Sequence, residues 1–154
     1  TDQVYNAFYD DYGTQKAFVH SHTYAGNPLA CSIALKVLDI LERDNLLERV
    51  RENGAYLHAR LQEAVGNHPN VGEIRHIGLI NALELVLNKQ TKEPFPSKCR
   101  LGWQIFRKAM DKGLVLRNMG DVLYFNPPLT IERKDLDKAV AILRDALYDQ
   151  LPVS

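Results

Sequence analysis

Two stretches of the chain gather residue types that can do chemistry. In His20-Ser21-His22-Thr23-Tyr24-Ala25-Gly26-Asn27-Pro28, hydroxyls and imidazoles crowd around a glycine just ahead of a helix start. The free N–H groups and the dipole of a helix N-terminus favour an anion, and Thr23 could add a hydroxyl donor. The same side chains could instead only cap the helix, which is their commoner use. His20 and His22 share one face of an extended segment, as metal ligands can, but no third ligand accompanies them at a recognisable spacing. The second stretch runs from Leu114 to Pro128 and contains Arg117-Asn118-Met119-Gly120-Asp121. Arg117 closes an apolar strand there, so a rigid element presents its guanidinium beside a turn. Arginine is suited to a bidentate grip on a carboxylate. The competing reading is a surface arginine paired with Asp121 across the turn.

The elements that must hold these residues follow from hydrophobic period and punctuation. Residues 1–27 are rich in aromatics, lack an amphipathic period and would bury poorly alone. Asn27 and Pro28 suit the N-cap and first position of a long helix. Its polar residues Ser32, Lys36, Asp39 and Arg43 form one narrow stripe. A helix so apolar should be mostly buried, another chain being one place for it. Asn45 and Glu48 have capping-box spacing for a second helix, which Gly66 and Pro69 stop. Val71–Ile77 and Leu79–Leu87 read as strands parted near Gly78. Ser97 can cap a helix to Lys112, ended by Gly113. Leu114–Arg117 and Val122–Phe125 flank a short turn. After Pro127-Pro128, Thr130 can cap a last helix through Leu147. Helix, helix, strand, strand, helix, strand, strand, helix predicts an α+β layer: a mostly antiparallel sheet covered by helices and preceded by a long helix. Glu84 reads as an outward strand residue or a buried acid. Lys89, Lys92 and Lys98 read as solvated, and Trp103 as core.

Composition narrows the classes. The 154 residues are 45% hydrophobic and 25% charged, as in an ordinary globular protein. Nineteen basic residues balance nineteen acidic ones. That leaves no footprint for nucleic acid or an anionic membrane. Two cysteines, Cys31 and Cys99, are no disulfide framework and point to a reduced, cytoplasmic setting. No strand, glycine-rich loop and helix succeed one another, so nucleotide-binding signatures are absent. The N-terminus has no signal-peptide pattern, and the missing initiator methionine suggests residues upstream.

Over essentially its whole length the chain resembles the C-terminal region of class III (ω-type) pyridoxal-phosphate (PLP) aminotransferases. His22-Thr23-Tyr24-Ala25-Gly26-Asn27-Pro28-Leu29-Ala30-Cys31 is similar to a family segment, as are Glu73-Ile74-Arg75-His76-Ile77-Gly78-Leu79 and Arg117 with Gly120-Asp121 and Pro127-Pro128-Leu129. The resemblance implies a fold-type I enzyme. Residues 1–44 would be an interface segment and linking helix left from the PLP-binding large domain, and residues 45–154 the small domain. It implies that Thr23 binds the PLP phosphate of the partner subunit, with backbone help from His22. Ser21 falls where a substrate-contacting glycine usually lies. Arg117 matches the arginine that holds the substrate carboxylate, although Asn118 replaces the proline that often follows it. Tyr124 stands where many relatives have arginine, and a neutral phenol suits a long apolar substrate with one terminal charge; plain packing in the sheet is its other reading. The implied activity is amino transfer from a small-molecule donor to an oxo acid, 8-amino-7-oxononanoate of biotin biosynthesis, by a cytoplasmic homodimer. The lysine that forms a Schiff base with PLP lies upstream in this family, and no lysine here has its context, so the chain by itself is expected to be inactive. Two alternatives remain: another ω-amine substrate such as ornithine or 4-aminobutyrate, and a non-catalytic anion-binding or dimerisation module.

Overall fold

The computed structural model describes residues 1–18 and 22–151. The chain divides into two compact units, Thr1–Asp39 and Ile40–Ser154.

The first unit opens with helix α1, Asp2–Phe8, whose cap is the Thr1 hydroxyl. A single 3₁₀ turn, Tyr12–Thr14, follows. Helix α2, Pro28–Arg43, starts where its sequence predicts. Asn27 Oδ1 accepts the Ala30 amide at 3.1 Å, which satisfies one of the orphan donors of the first turn. Its expected burial is not found within this chain, since none of its residues is buried. Leu29, Ile33, Leu35 and Leu38 are all more than half exposed.

The second unit is the α+β layer. Helix α3, Leu46–Val65, is followed by β1, Val71–Ile77, and β2, Ile80–Leu85. Helix α4, Leu101–Asp111, leads to β3, Arg117–Met119, and β4, Val122–Phe125, and α5, Arg133–Gln150, ends the unit. The four strands lie in the order β1-β2-β4-β3, every neighbouring pair antiparallel. Strand residues alternate between faces. Ile74, Leu83, Leu85, Leu123 and Phe125 therefore turn inward, where they pack with Leu57 and Leu61 of α3, Ile105 of α4, and Leu143 and Leu147 of α5 in one core. The helices stand on that face alone.

Local departures from the sequence reading have identifiable causes. Asn45 makes no side-chain cap, because it takes the left-handed conformation (φ 48°) that lets the chain turn sharply from α2 into α3. Ser97 begins a 3₁₀ turn, Ser97–Cys99, and not the helix itself. Leu114–Leu116 lies outside the sheet. Pairing with β4 stops at Arg117 opposite Tyr124, since the residues beyond Phe125 run into Pro127-Pro128, which have no N–H to donate. The last helix starts after Glu132 rather than at Thr130. Lys89 and Lys92 are not simply solvated. The Lys89 ammonium donates to the Gly66 carbonyl at 2.6 Å, capping the end of α3, and Lys92 donates to the Gly72 carbonyl on the outer edge of β1. Trp103 is not core either: it stays 38% exposed, its ring tilted against Phe106.

Polar clasps tie α5 to its neighbours. The Tyr56 hydroxyl donates to Asp137 at 2.7 Å and Arg60 Nε to the same carboxylate at 3.1 Å; together they hold that carboxyl below its ordinary range. Buried His68 accepts the Asn70 amide on Nδ1, so its proton sits on Nε2 and is donated to the Leu151 carbonyl at 2.9 Å.

Candidate functional site

The segment before α2 is a turn. Ala25 N–H donates to the His22 carbonyl at 2.9 Å, and Asn27 N–H to the Tyr24 carbonyl at 3.1 Å. Gly26 at φ +77° supplies the left-handed step that lets the chain enter the helix. Capping is carried out by Asn27, not by Thr23. The Thr23 hydroxyl and the amides of Thr23 and Tyr24 donate to no other described residue, and all of residues 22–27 are exposed. Ser21 and His20 lie outside the described residues.

In the second unit, the sheet face without helices carries the other candidates. Directly opposed residues of an antiparallel pair share a face. Arg117 opposes Tyr124, Tyr124 opposes Ala82, and Ala82 opposes Arg75, which makes one row across all four strands. Arg75 donates to Glu84 at 2.8 Å and to Glu73 at 3.3 Å. The Glu84 carboxylate raises that guanidinium above its ordinary range, so Arg75 is committed to an ion pair. Glu84 is accordingly an outward, paired residue. Arg117 is exposed and has no carboxylate partner among the described residues. The proposed pair with Asp121 does not form, because Asp121 Oδ1 accepts the Gly102 amide at 2.9 Å, at the start of α4.

The row therefore offers an open cation, a phenol beside it, and then a methyl group. Tyr124 and Ala82 give the guanidinium an apolar flank, and exposed Met119, Ile77 and Ile80 extend the same face. Such a surface can hold one terminal carboxylate against a body with little charge. The sequence reading singled out Arg117 and Tyr124 but not Ala82, whose small side chain keeps the middle of the row low. The alternation of Ile80, Ala82 and Glu84 along one strand was the signal for it.

Residues 1–147 match the protein family Aminotransferase class-III. Over 149 residues the chain is 40% identical to adenosylmethionine-8-amino-7-oxononanoate aminotransferase of Aquifex aeolicus, which covers 97% of this chain and 33% of that protein. Over 151 residues it is 36% identical to the protein of the same name from Methanocaldococcus jannaschii, covering 98% of this chain and 32% of that one. The crystal structure of the adenosylmethionine-8-amino-7-oxononanoate aminotransferase from M. jannaschii superposes with a TM-score of 0.81 at 35% identity, covering 97% of this chain and 34% of that one. This chain thus spans about a third of the length of the curated relatives it matches. Agreement in sequence along nearly all of the chain, together with the same arrangement of helices and antiparallel strands, makes it a member of the class-III aminotransferases.

Proposed function

We propose that this chain is the small domain (45–154) and interface segment (1–44) of a PLP-dependent aminotransferase. The whole protein would transfer an amino group to 8-amino-7-oxononanoate in biotin biosynthesis, as a homodimer in the cytoplasm. The observation that carries the reading is Arg117: exposed on a strand, without a carboxylate partner among the described residues, and opposed by the neutral Tyr124. The names and identities of the relatives support the same substrate.

PLP is the cofactor of class-III aminotransferases, and the turn before α2 fits its phosphate. An exposed hydroxyl and two amides that donate to no other described residue stand ahead of a sixteen-residue helix, where an anion is favoured. In this reading Thr23 donates its hydroxyl to the phosphate bound in the partner subunit, and the backbone at His22 contacts the same group. Ser21 adds a contact to the substrate. Arg117 holds the carboxylate of the oxo acid far from the carbonyl that reacts, and Tyr124 lines the path of its apolar chain. When bound, PLP supplies the electron sink through which an amino group passes from donor to acceptor. No lysine of this chain has the context of the family's cofactor-bearing lysine.

The assignment is tested on the whole protein and on the isolated chain. In the whole protein, Thr23→Val should weaken PLP binding by about 1–2 kcal/mol, the scale of one lost hydrogen bond to a charged group. Pairing a Thr23→Val subunit with one lacking the cofactor-bearing lysine separates the cross-subunit role from a role in the threonine's own subunit. If the single lysine-bearing site gains nothing from the intact threonine of its partner, the cross-subunit assignment fails. The isolated chain, for its part, should show no transaminase activity. After mixing with PLP and borohydride, peptide mapping should find only scattered labelling, and one stoichiometric pyridoxyl-lysine at a unique position would contradict this.

A further inference from the structure

Arg117 carries the proposed substrate contact, yet the strand that bears it is only three residues long and lies at the margin of the sheet. β3 pairs with β4 alone, and a two-stranded hairpin is marginal without further support. That support comes through the turn between the two strands, Gly120-Asp121, which is pinned from two sides. The Asp121 carbonyl accepts the Leu85 amide of β2 at 3.0 Å. The Asp121 carboxylate accepts the Gly102 amide of α4 at 2.9 Å.

The start of α4 is built to receive that carboxylate. Arg100 occupies the N-cap position and makes no side-chain cap bond, so the helix has no cap of its own. Orphan amides and the helix dipole favour a carboxylate there, and Asp121 supplies it from nineteen residues away. Gly102 is buried, and a Cβ built on it would lie 2.2 Å from the Gly120 carbonyl oxygen, so helix backbone rests directly on turn backbone. The other end of α4 runs into the same strand: the Leu114 amide donates to the Ala109 carbonyl at 2.9 Å, and Leu116 is buried. The segment from Leu114 to Asp121 is therefore tied to α4 at both ends, and Arg117 stands between the ties.

We propose, on the basis of the role assigned to Arg117, that Asp121 is a positioning residue for substrate binding. By clamping the β3–β4 turn to the start of α4, its carboxylate holds the Arg117 guanidinium where it meets the carboxylate of the oxo acid. Asp121 itself touches no substrate. A bidentate grip depends on planar alignment, so a small displacement of β3 weakens it.

In the whole protein, Asp121→Ala should raise KM for 8-amino-7-oxononanoate by about tenfold and leave kcat nearly unchanged. A loss of folded enzyme would instead lower kcat and spare KM. Asp121→Asn keeps an oxygen that can accept the Gly102 amide and should recover most of the affinity. Should the alanine variant not accumulate, Asp121→Ser, whose hydroxyl falls short of that amide, carries the same expectation. On an Arg117→Ala background, Asp121→Ala should raise KM by less than about twofold, because the two residues act through one contact. The clamp is also measurable in the parent chain by hydrogen exchange. Corrected for intrinsic rates, the Gly102 amide should exchange at least about tenfold more slowly than that of Trp103, which donates to no other described residue. An unprotected Gly102 amide would mean that the clamp does not form. The positioning role is overturned by an unchanged KM in Asp121→Ala, by a fall in kcat in its place, by no recovery in Asp121→Asn, or by a full effect on the Arg117→Ala background. An Arg117→Ala enzyme with the parent's KM would sink the role of Arg117 first, and that of Asp121 with it.

Discussion

Replacing Gly54 with alanine should destabilise the chain by about 3 kcal/mol, although alanine is the better helix former by about 1 kcal/mol. Gly54 is buried within α3, and a Cβ built there would lie 2.0 Å from the Gly78 carbonyl oxygen and 2.4 Å from its carbon. These are backbone atoms of the bend between β1 and β2, which cannot rotate aside as a side-chain end could. Gly78 itself stands at φ +51°, the left-handed step that this tight bend between the strands uses. Helix and strands must therefore separate, and the core beneath them loosens. Urea unfolding of the chain measures the effect. Ala55→Gly, on the exposed neighbouring position, gives the comparison, with an expected loss of only about 1 kcal/mol. A Gly54→Ala chain at least as stable as the parent would mean that α3 does not press on this bend.

The second large effect is expected in catalysis. Arg117→Ala in the whole protein should cost about 2–4 kcal/mol in kcat/KM for 8-amino-7-oxononanoate, or roughly thirty-fold to nearly a thousand-fold. The guanidinium is exposed and makes no ion pair among the described residues, so its removal orphans no buried group and should leave stability almost unchanged. The half-reaction with the amino donor should suffer less if the donor does not use the same arginine. Arg117→Lys keeps the charge but loses the planar fork, and should recover only part of the activity. An Arg117→Ala enzyme as active as the parent on the oxo acid would overturn the substrate assignment. A parent enzyme that prefers ornithine or 4-aminobutyrate would do the same while leaving amino transfer intact.

Local rules carried much of this architecture. Asn27 and Pro28 begin α2 as their types require, Gly113 ends the turn after α4, and the run Val71–Ile77 is a strand over its full length. The α+β layer and the Arg117–Tyr124 pair follow from the same kind of reasoning, because a short turn between two apolar runs nearly fixes register. The misses share a different origin. Asp121 capping α4, Lys89 capping α3 and Pro127-Pro128 shortening β3 all depend on residues distant in sequence or on the opposite strand. Spacing within one helix says nothing about them. Trp103 and α2 were misjudged for a related reason: an apolar helical face shows that burial is favourable, not that this chain supplies the covering surface.

The blunt margins of the sheet bear on how the chain behaves at high concentration. An unpaired strand edge can template the addition of another strand, and the hazard grows with its length and flatness. β3 is three residues long and is denied extension by the prolines across from it. The longer β1 edge is interrupted by a bulge between Val71 and Glu73, has its Gly72 carbonyl occupied by the Lys92 ammonium, and carries Glu73 and Arg75. Neither margin presents a continuous ladder of free amides and carbonyls. Fibrillar self-association through these edges is thereby disfavoured, even though one face of the sheet lies open.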